Sequence, residues 1–272
     1  MESSIATKLK ALTKEAQQSF LSLHNNYPGK YPFSGIVKTN ALPCGAGAVV
    51  GGVYPTLCFI NHSCRPNTNH NWNELLGRET IHATHAIKAG EEITISYDDG
   101  NQYEIRQRTF KDAFGFTCSC TLCSLPETEI HESDIRRREM SRLDEVIGDG
   151  LRLMSKPEDC LADCHSLLGI LEVEYERCDT IHTARLYYDA FQIAITHGDQ
   201  ARARVFGERA HRVRVICEGE DSPASSRMKT LASKPDGHRN FGASRKWRTT
   251  KEVIPKGLST EEFETWLWRE RR

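Results

Sequence analysis

The sequence predicts an α+β protein with a β-rich first half and an all-helical second half. Three observations carry this. Residues 92–97, Glu-Ile-Thr-Ile-Ser-Tyr, alternate apolar and polar side chains at the period of a strand. Residues 27–55 hold four prolines and six glycines, a composition of loops with short strands. Beyond Ser124 the apolar residues recur at intervals of three and four, the period of amphipathic helices.

Taken in order, Leu9, Leu12, Ala16, Phe20 and Leu23 make one apolar stripe and predict one helix over 5–24. The Gly/Pro-rich stretch follows. From Leu57 to Tyr97 the pattern is β, with a short apolar run at 56–60. Lys88-Ala-Gly90 forms a turn before the strand that puts Ile93, Ile95 and Tyr97 on one face. Ile135, Met140, Leu143, Ile147, Leu151 and Met154 form one helical stripe; Leu161, Cys164, Leu168, Leu171, Tyr175 and Cys178 form a second. Gly198-Asp199 ends a helix over about 181–197, and Asp199 caps the next, whose inward residues are Phe206, Ala210, Val213 and Cys217. Residues 219–258 read as irregular. Ser259 and Glu262 make a capping box for a last helix that docks back through Phe263, Trp266 and Leu267. Consecutive amphipathic helices with short connections imply a stacked helical array.

The 272 residues suffice for two domains, with 38% hydrophobic and 27% charged content. Basic and acidic residues number 36 and 37, a net charge of −1 with no footprint for nucleic acid. No apolar run is long enough to span a membrane, and the first residues lack a signal-peptide core. The expectation is a nuclear or cytoplasmic protein that is not secreted. In a reducing compartment ten cysteines read as metal ligands or buried apolar residues rather than as disulfides.

Only Cys118, Cys120 and Cys123 cluster tightly. A structural zinc site takes four ligands, so the trio lacks one. Cys64, in Asn61-His62-Ser63-Cys64-Arg65-Pro66-Asn67, is the best donor because Pro66 stiffens its loop. The alternative is that all four are ordinary reduced thiols. Cys160 and Cys164, beside His165, are a conceivable metal pair, but Cys164 lies on an apolar stripe and reads as core; so do Cys44, Cys58 and Cys217. The glycine string at 44–52 lacks the Lys-Ser/Thr of a phosphate loop, and Arg136-Arg137-Arg138 reads as a solvated helix end.

Phe59-Ile-Asn-His-Ser-Cys-Arg-Pro-Asn67, Gly90-Glu-Glu-Ile-Thr-Ile-Ser-Tyr97 and Phe114-Gly-Phe-Thr-Cys-Ser-Cys-Thr-Leu-Cys123 resemble, in order and spacing, the C-terminal part of a SET domain and its post-SET segment. The type is that of the SET-and-MYND protein-lysine methyltransferases, and the ensemble is similar to fungal SET-domain-containing proteins. The resemblance implies a partial SET domain over 1–110, a post-SET zinc segment over 111–126, a tetratricopeptide-like array over 127–218 and an irregular tail with a terminal helix over 219–272.

It further implies S-adenosylmethionine as cofactor, held by Asn61, His62 and Phe116 with Asn40 nearby. Tyr97 would be the catalytic tyrosine, and Cys64, Cys118, Cys120 and Cys123 the ligands of one structural zinc per chain. The implied partner is a histone or other protein carrying the target lysine, and the chain is expected to be a monomer. Two departures stand out. The strand pair with a G-x-G motif that opens such domains is not found before Asn61, so the chain reads as starting inside the domain. Phe114 stands where relatives often carry tyrosine. A catalytically inactive interaction module is therefore the competing expectation.

Overall fold

A computed structural model describes residues 1–45, 47–98, 100–176 and 179–270. Its contacts divide the chain into two units, one of residues 1–81 with 85–130, the other of residues 82–84 with 131–272. Among the described residues no helix is long and apolar enough to cross a membrane.

The first unit opens with two helices where one was expected, α1 (Glu2–Lys10) and α2 (Lys14–Leu21). Thr13 causes the break: its hydroxyl accepts the Ala16 N–H and caps α2, so Leu12 turns out to solvent while Leu9, Phe20 and Leu23 stay buried. The Pro/Gly-rich stretch contains a helix the sequence pattern concealed, α3 (Ser34–Asn40). Its cap is remote. The Glu2 carboxylate accepts the backbone N–H groups of Phe33 (3.0 Å) and Ser34 (2.8 Å).

Strands β1 (Ala41–Pro43) and β2 (Gly51–Val53) pair antiparallel, with Leu42 opposite Gly52. The glycine string is the turn between them. Gly45 and Gly47 take φ of 103° and 72°, a region open to glycine; Ala46 lies outside the described residues. The apolar run at 56–60 is a single 3₁₀ turn rather than a strand. It leads into β3 (Asn61–His62), which pairs parallel with β6 (Thr94–Ile95). Between them β4 (Thr68–Asn73) pairs with β5 (Arg78–Ala83) across a four-residue connection. The unit closes with α4 (Tyr103–Thr109), a π-helical turn at Phe110–Phe114, and Gly115 in the left-handed region at φ 79°.

The second unit is helical. Helix α5 (Glu127–Ile147) begins at the end of the first unit, and α6 (Gly150–Ser155), α7 (Pro157–Tyr175), α8 (Ile181–Thr196), α9 (Gln200–Glu218), α10 (Pro223–Ser233) and α11 (Thr260–Leu267) follow. The stripe expected from Ile135 to Met154 is interrupted, because Asp149 caps α6 and turns Leu151 into solvent. The next stripe is core as expected, with Leu161, Cys164 and Leu171 buried; Cys178 lies outside the described residues. Phe206, Ala210, Val213 and Cys217 are fully buried, Phe206 and Val213 each contributing about 1.5–3 kcal/mol. Helix α10 corrects the expectation of an irregular tail. Ser222 caps it and Pro223 fills its first turn, where a missing N–H costs nothing.

Asp199 is more than a cap. Fully buried, it accepts the Arg202 N–H (3.2 Å), the Thr249 hydroxyl (2.8 Å) and the guanidinium groups of Arg202 (2.8 Å) and Arg269 (3.0 Å). The expected capping box at Ser259 and Glu262 is present, and Leu267 and Trp268 are buried. The basic run at 136–138 is not a solvated end. Arg137 is buried, and with Arg136 it holds the buried Glu174 carboxylate at 2.7 and 2.8 Å. Burial opposes ionisation there, but Arg137, Ser133 and Arg136 together keep the carboxyl below its ordinary range.

Candidate functional site

The sequence-predicted residues converge within the first unit. Pairing of Asn61 with Thr94 and of His62 with Ile95 lays the Asn-His-Ser-Cys segment alongside β6, a shorter strand than the alternation over 92–97 predicts and one that ends two residues before Tyr97, and Ser63 N–H extends the ladder to the Ile95 carbonyl (3.0 Å). Asn67, which sequence reasoning passed over, locks this arrangement. Its amide donates to the Glu92 carbonyl (2.8 Å) and accepts the Thr94 N–H (2.9 Å).

His62 sits at the centre. The Tyr97 backbone N–H donates to its Nδ1 (3.0 Å), so Nε2 carries the proton and points at Cys64 Sγ, 3.2 Å away. The ring packs against Phe110 at 4.2 Å and Tyr97 at 5.4 Å between centroids. One imidazole thus joins the Tyr97 backbone to the cysteine cluster.

The Tyr97 hydroxyl donates to the Ile60 carbonyl at 2.6 Å. Burial, reinforced by the neighbouring Cys58 and Glu92, raises its pKa, so it is a neutral phenol at physiological pH. Phe114 packs against it at 4.9 Å and Phe116 meets it edge-on at 6.4 Å. Phe116 is half-buried and stacks nearly parallel on the fully buried Phe110. Asn61 is exposed, its amide on Glu92 at 2.6 Å. Asn40 ends α3 and donates to the carbonyls of His24 (2.7 Å) and Ile36 (2.8 Å), while its own carbonyl accepts from the Cys58 thiol.

The sulfur atoms of Cys64, Cys118, Cys120 and Cys123 lie within 4.8 Å of one another, and the Cys64–Cys123 pair is 3.6 Å apart. Four thiolates at the corners of a zinc tetrahedron would be about 3.8 Å apart, given metal–sulfur bonds of about 2.3 Å. The set can hold a metal ion, and among the described residues it is the one such group. Hydrogen bonds from Cys118, Cys123 and Cys64 drive Cys120 strongly toward thiolate. Those from Cys118 and Cys64, with the Arg106 guanidinium, lower Cys123 to about 7 against Cys120 and burial. As donors to their neighbours, Cys64 and Cys118 are raised. Cys160 and Cys164 are buried away from any such group; His165 stacks on Trp268 and pairs with Glu270.

Sequence reasoning missed the supports of this cluster. The Gln107 side chain clamps the Cys118 backbone from both sides, donating to its carbonyl and accepting its N–H, each at 2.9 Å. Asn26 donates to the Ala113 carbonyl at 2.7 Å and so fixes the π turn before Phe114. The spacing of Tyr103, Arg106, Gln107 and Phe110 on one helix face was a signal that could have found Gln107.

An Asn-His strand paired with the strand just before a tyrosine, with a cysteine-rich closure, is the arrangement of a SET-type domain. Residues 3–98 match the SET domain model. The chain is 32% identical over 243 residues to histone-lysine N-methyltransferase set5 of Schizosaccharomyces pombe, covering 88% of this chain and 72% of that protein. It is 31% identical to histone-lysine N-methyltransferase SET5 of Meyerozyma guilliermondii over 61% of this chain and 33% of that one. It is 30% identical to histone-lysine N-methyltransferase SMYD3 of Mus musculus over 43% of this chain and 28% of that one. The chain belongs to the SET-domain family of protein-lysine methyltransferases.

Proposed function

We propose that this chain transfers a methyl group from S-adenosylmethionine to a lysine side chain of a protein, with a histone as the substrate the relatives' names support. The observation that carries the reading is the Tyr97 hydroxyl, tied to the Ile60 carbonyl, beside the Asn61-His62 strand and against Phe114 and Phe116.

The cofactor supplies an electrophilic methyl group on a sulfonium. A half-exposed aromatic ring beside a surface carboxamide suits its adenosyl group. Phe116 would offer that ring and Asn61 the carboxamide. His62, both of whose ring nitrogens are engaged, would offer its main chain, and Asn40 would lie at the rim.

The amine must be neutral to accept the methyl, which costs a lysine of pKa near 10.4 about 4–5 kcal/mol at pH 7. No strong base is needed if the channel is dry, because burial disfavours the ammonium. Tyr97 fits such a scheme. Its one proton is spent on Ile60, so its oxygen can only accept, and an amine N–H bound there is oriented rather than titrated.

The four cysteines would hold one structural zinc, a filled coordination sphere that leaves no open position for chemistry. Residues 111–126 would be the post-SET segment, and the helical unit a tetratricopeptide-like array. The protein would act as a monomer in the nucleus or cytosol. Titration calorimetry with S-adenosylmethionine tests the reading: micromolar binding is expected, weakened by Asn61→Ala. Absence of binding by the zinc-loaded protein would favour an inactive interaction module instead.

A further inference from the structure

Arg106 is 1% exposed, and a guanidinium cannot shed its charge to escape burial. Its Nη1 donates to the Asn101 carbonyl, and its Nη2 lies 3.8 Å from Cys123 Sγ. Four thiolates around a divalent ion carry a net charge of −2, a charge that a fixed cation this close to one sulfur stabilises.

We propose that Arg106 is the outer-sphere counter-charge of the four-cysteine centre: it offsets part of the tetrathiolate's excess negative charge and thereby raises metal affinity. The inference rests on the reading of Cys64, Cys118, Cys120 and Cys123 as metal ligands. The same pairing explains the shape of the segment. Helix α4 delivers Arg106 to the sulfur cluster and, one residue later, Gln107 to the Cys118 backbone, so one turn supports the centre by charge and by geometry. His62 approaches Cys64 with a neutral N–H, which orients that sulfur without changing the charge balance. Outer-shell partners of this kind change metal affinity by about 10–100-fold.

The test compares the full-length chain with Arg106→Gln, which keeps hydrogen-bond donors without charge, and Arg106→Lys, which restores charge. Zinc affinity is read by competition with a chromophoric chelator, and sulfur charge density by the thiolate-to-metal band of the cobalt-loaded proteins. Arg106→Gln should bind zinc at least about tenfold more weakly and shift the cobalt band, with Arg106→Lys recovering most of both. Equal affinity in Arg106→Gln and the unmodified chain would overturn the proposal. So would equal losses in the two variants, which would mark a packing role. If the unmodified chain takes up no metal, the four-cysteine reading itself fails, a result distinct from either.

Discussion

Replacing Cys64 with serine separates the metal's local bonds from its long-range effect. The four sulfurs lie together in a group that could hold a metal ion, and Cys64 comes from about 54 residues before the others. An apparent zinc binding energy of about 10–16 kcal/mol divided over four ligands assigns about 3–4 kcal/mol to each, so Cys64→Ser should weaken binding by about 10²–10³-fold. Cys120→Ser should do the same. The two differ in what remains. With Cys120 gone, a weakly held ion still ties the Asn-His-Ser-Cys segment to residues 118–123. With Cys64 gone, that tie is lost, and closing a loop of this length is worth up to about 4 kcal/mol. In zinc-saturated buffer, Cys64→Ser should therefore melt about 10 °C below Cys120→Ser in a circular-dichroism scan. Metal content by mass spectrometry of the dialysed proteins completes the assay. If Cys64→Ser retains zinc and melts with the unmodified chain, the metal does not join these segments and the argument fails.

Further outcomes concern the helical unit. Asp199→Ala removes a cap and strands Arg202 and Arg269, so it should cost about 2–4 kcal/mol in chemical denaturation, whereas Asp199→Asn, which keeps the cap, should cost less. Burial raises the Asp189 carboxyl from 3.8 to about 6. The folded state thus holds this proton more tightly than the unfolded chain, and its contribution to stability falls as pH rises from about 4 to 6. Asp189→Asn should stabilise the protein by about 1–2 kcal/mol at pH 7 and by nothing at pH 3.5, measured as the urea midpoint at each pH. Glu174 runs the other way. Its lowered pKa stabilises the fold above about pH 4.5, and that contribution drains away as pH falls through the folded value, so Glu174→Gln should flatten the acid limb of the same curve.

How legible each feature was depended on whether its cause is local. The inward faces of α7 and α9 were readable because Leu161, Leu171, Phe206 and Val213 repeat at the helical period and are buried for that reason. The four-cysteine group was readable because three of its members share six residues and a tetrahedral site calls for a fourth. Helix α3 was not, since its cap is Glu2, some thirty residues away. Arg136 and Arg137 looked solvated because nothing near them in sequence announces the buried Glu174 that draws them in. In the site, Tyr97 was visible as the last residue of the alternating run 92–97, of which Thr94–Ile95 is the part that pairs as a strand. Its partners were not: the Ile60 carbonyl is a main-chain atom, and the tie of His62 to Cys64 depends on the proton's position on a ring.

The most direct measurement is mass spectrometry of core histones incubated with the zinc-loaded chain and S-adenosylmethionine, beside the Tyr97→Phe variant. The account predicts methyl additions confined to lysine, reduced about 10²-fold by a substitution that leaves cofactor binding unchanged. Methylation that proceeds equally well without the Tyr97 hydroxyl would contradict it.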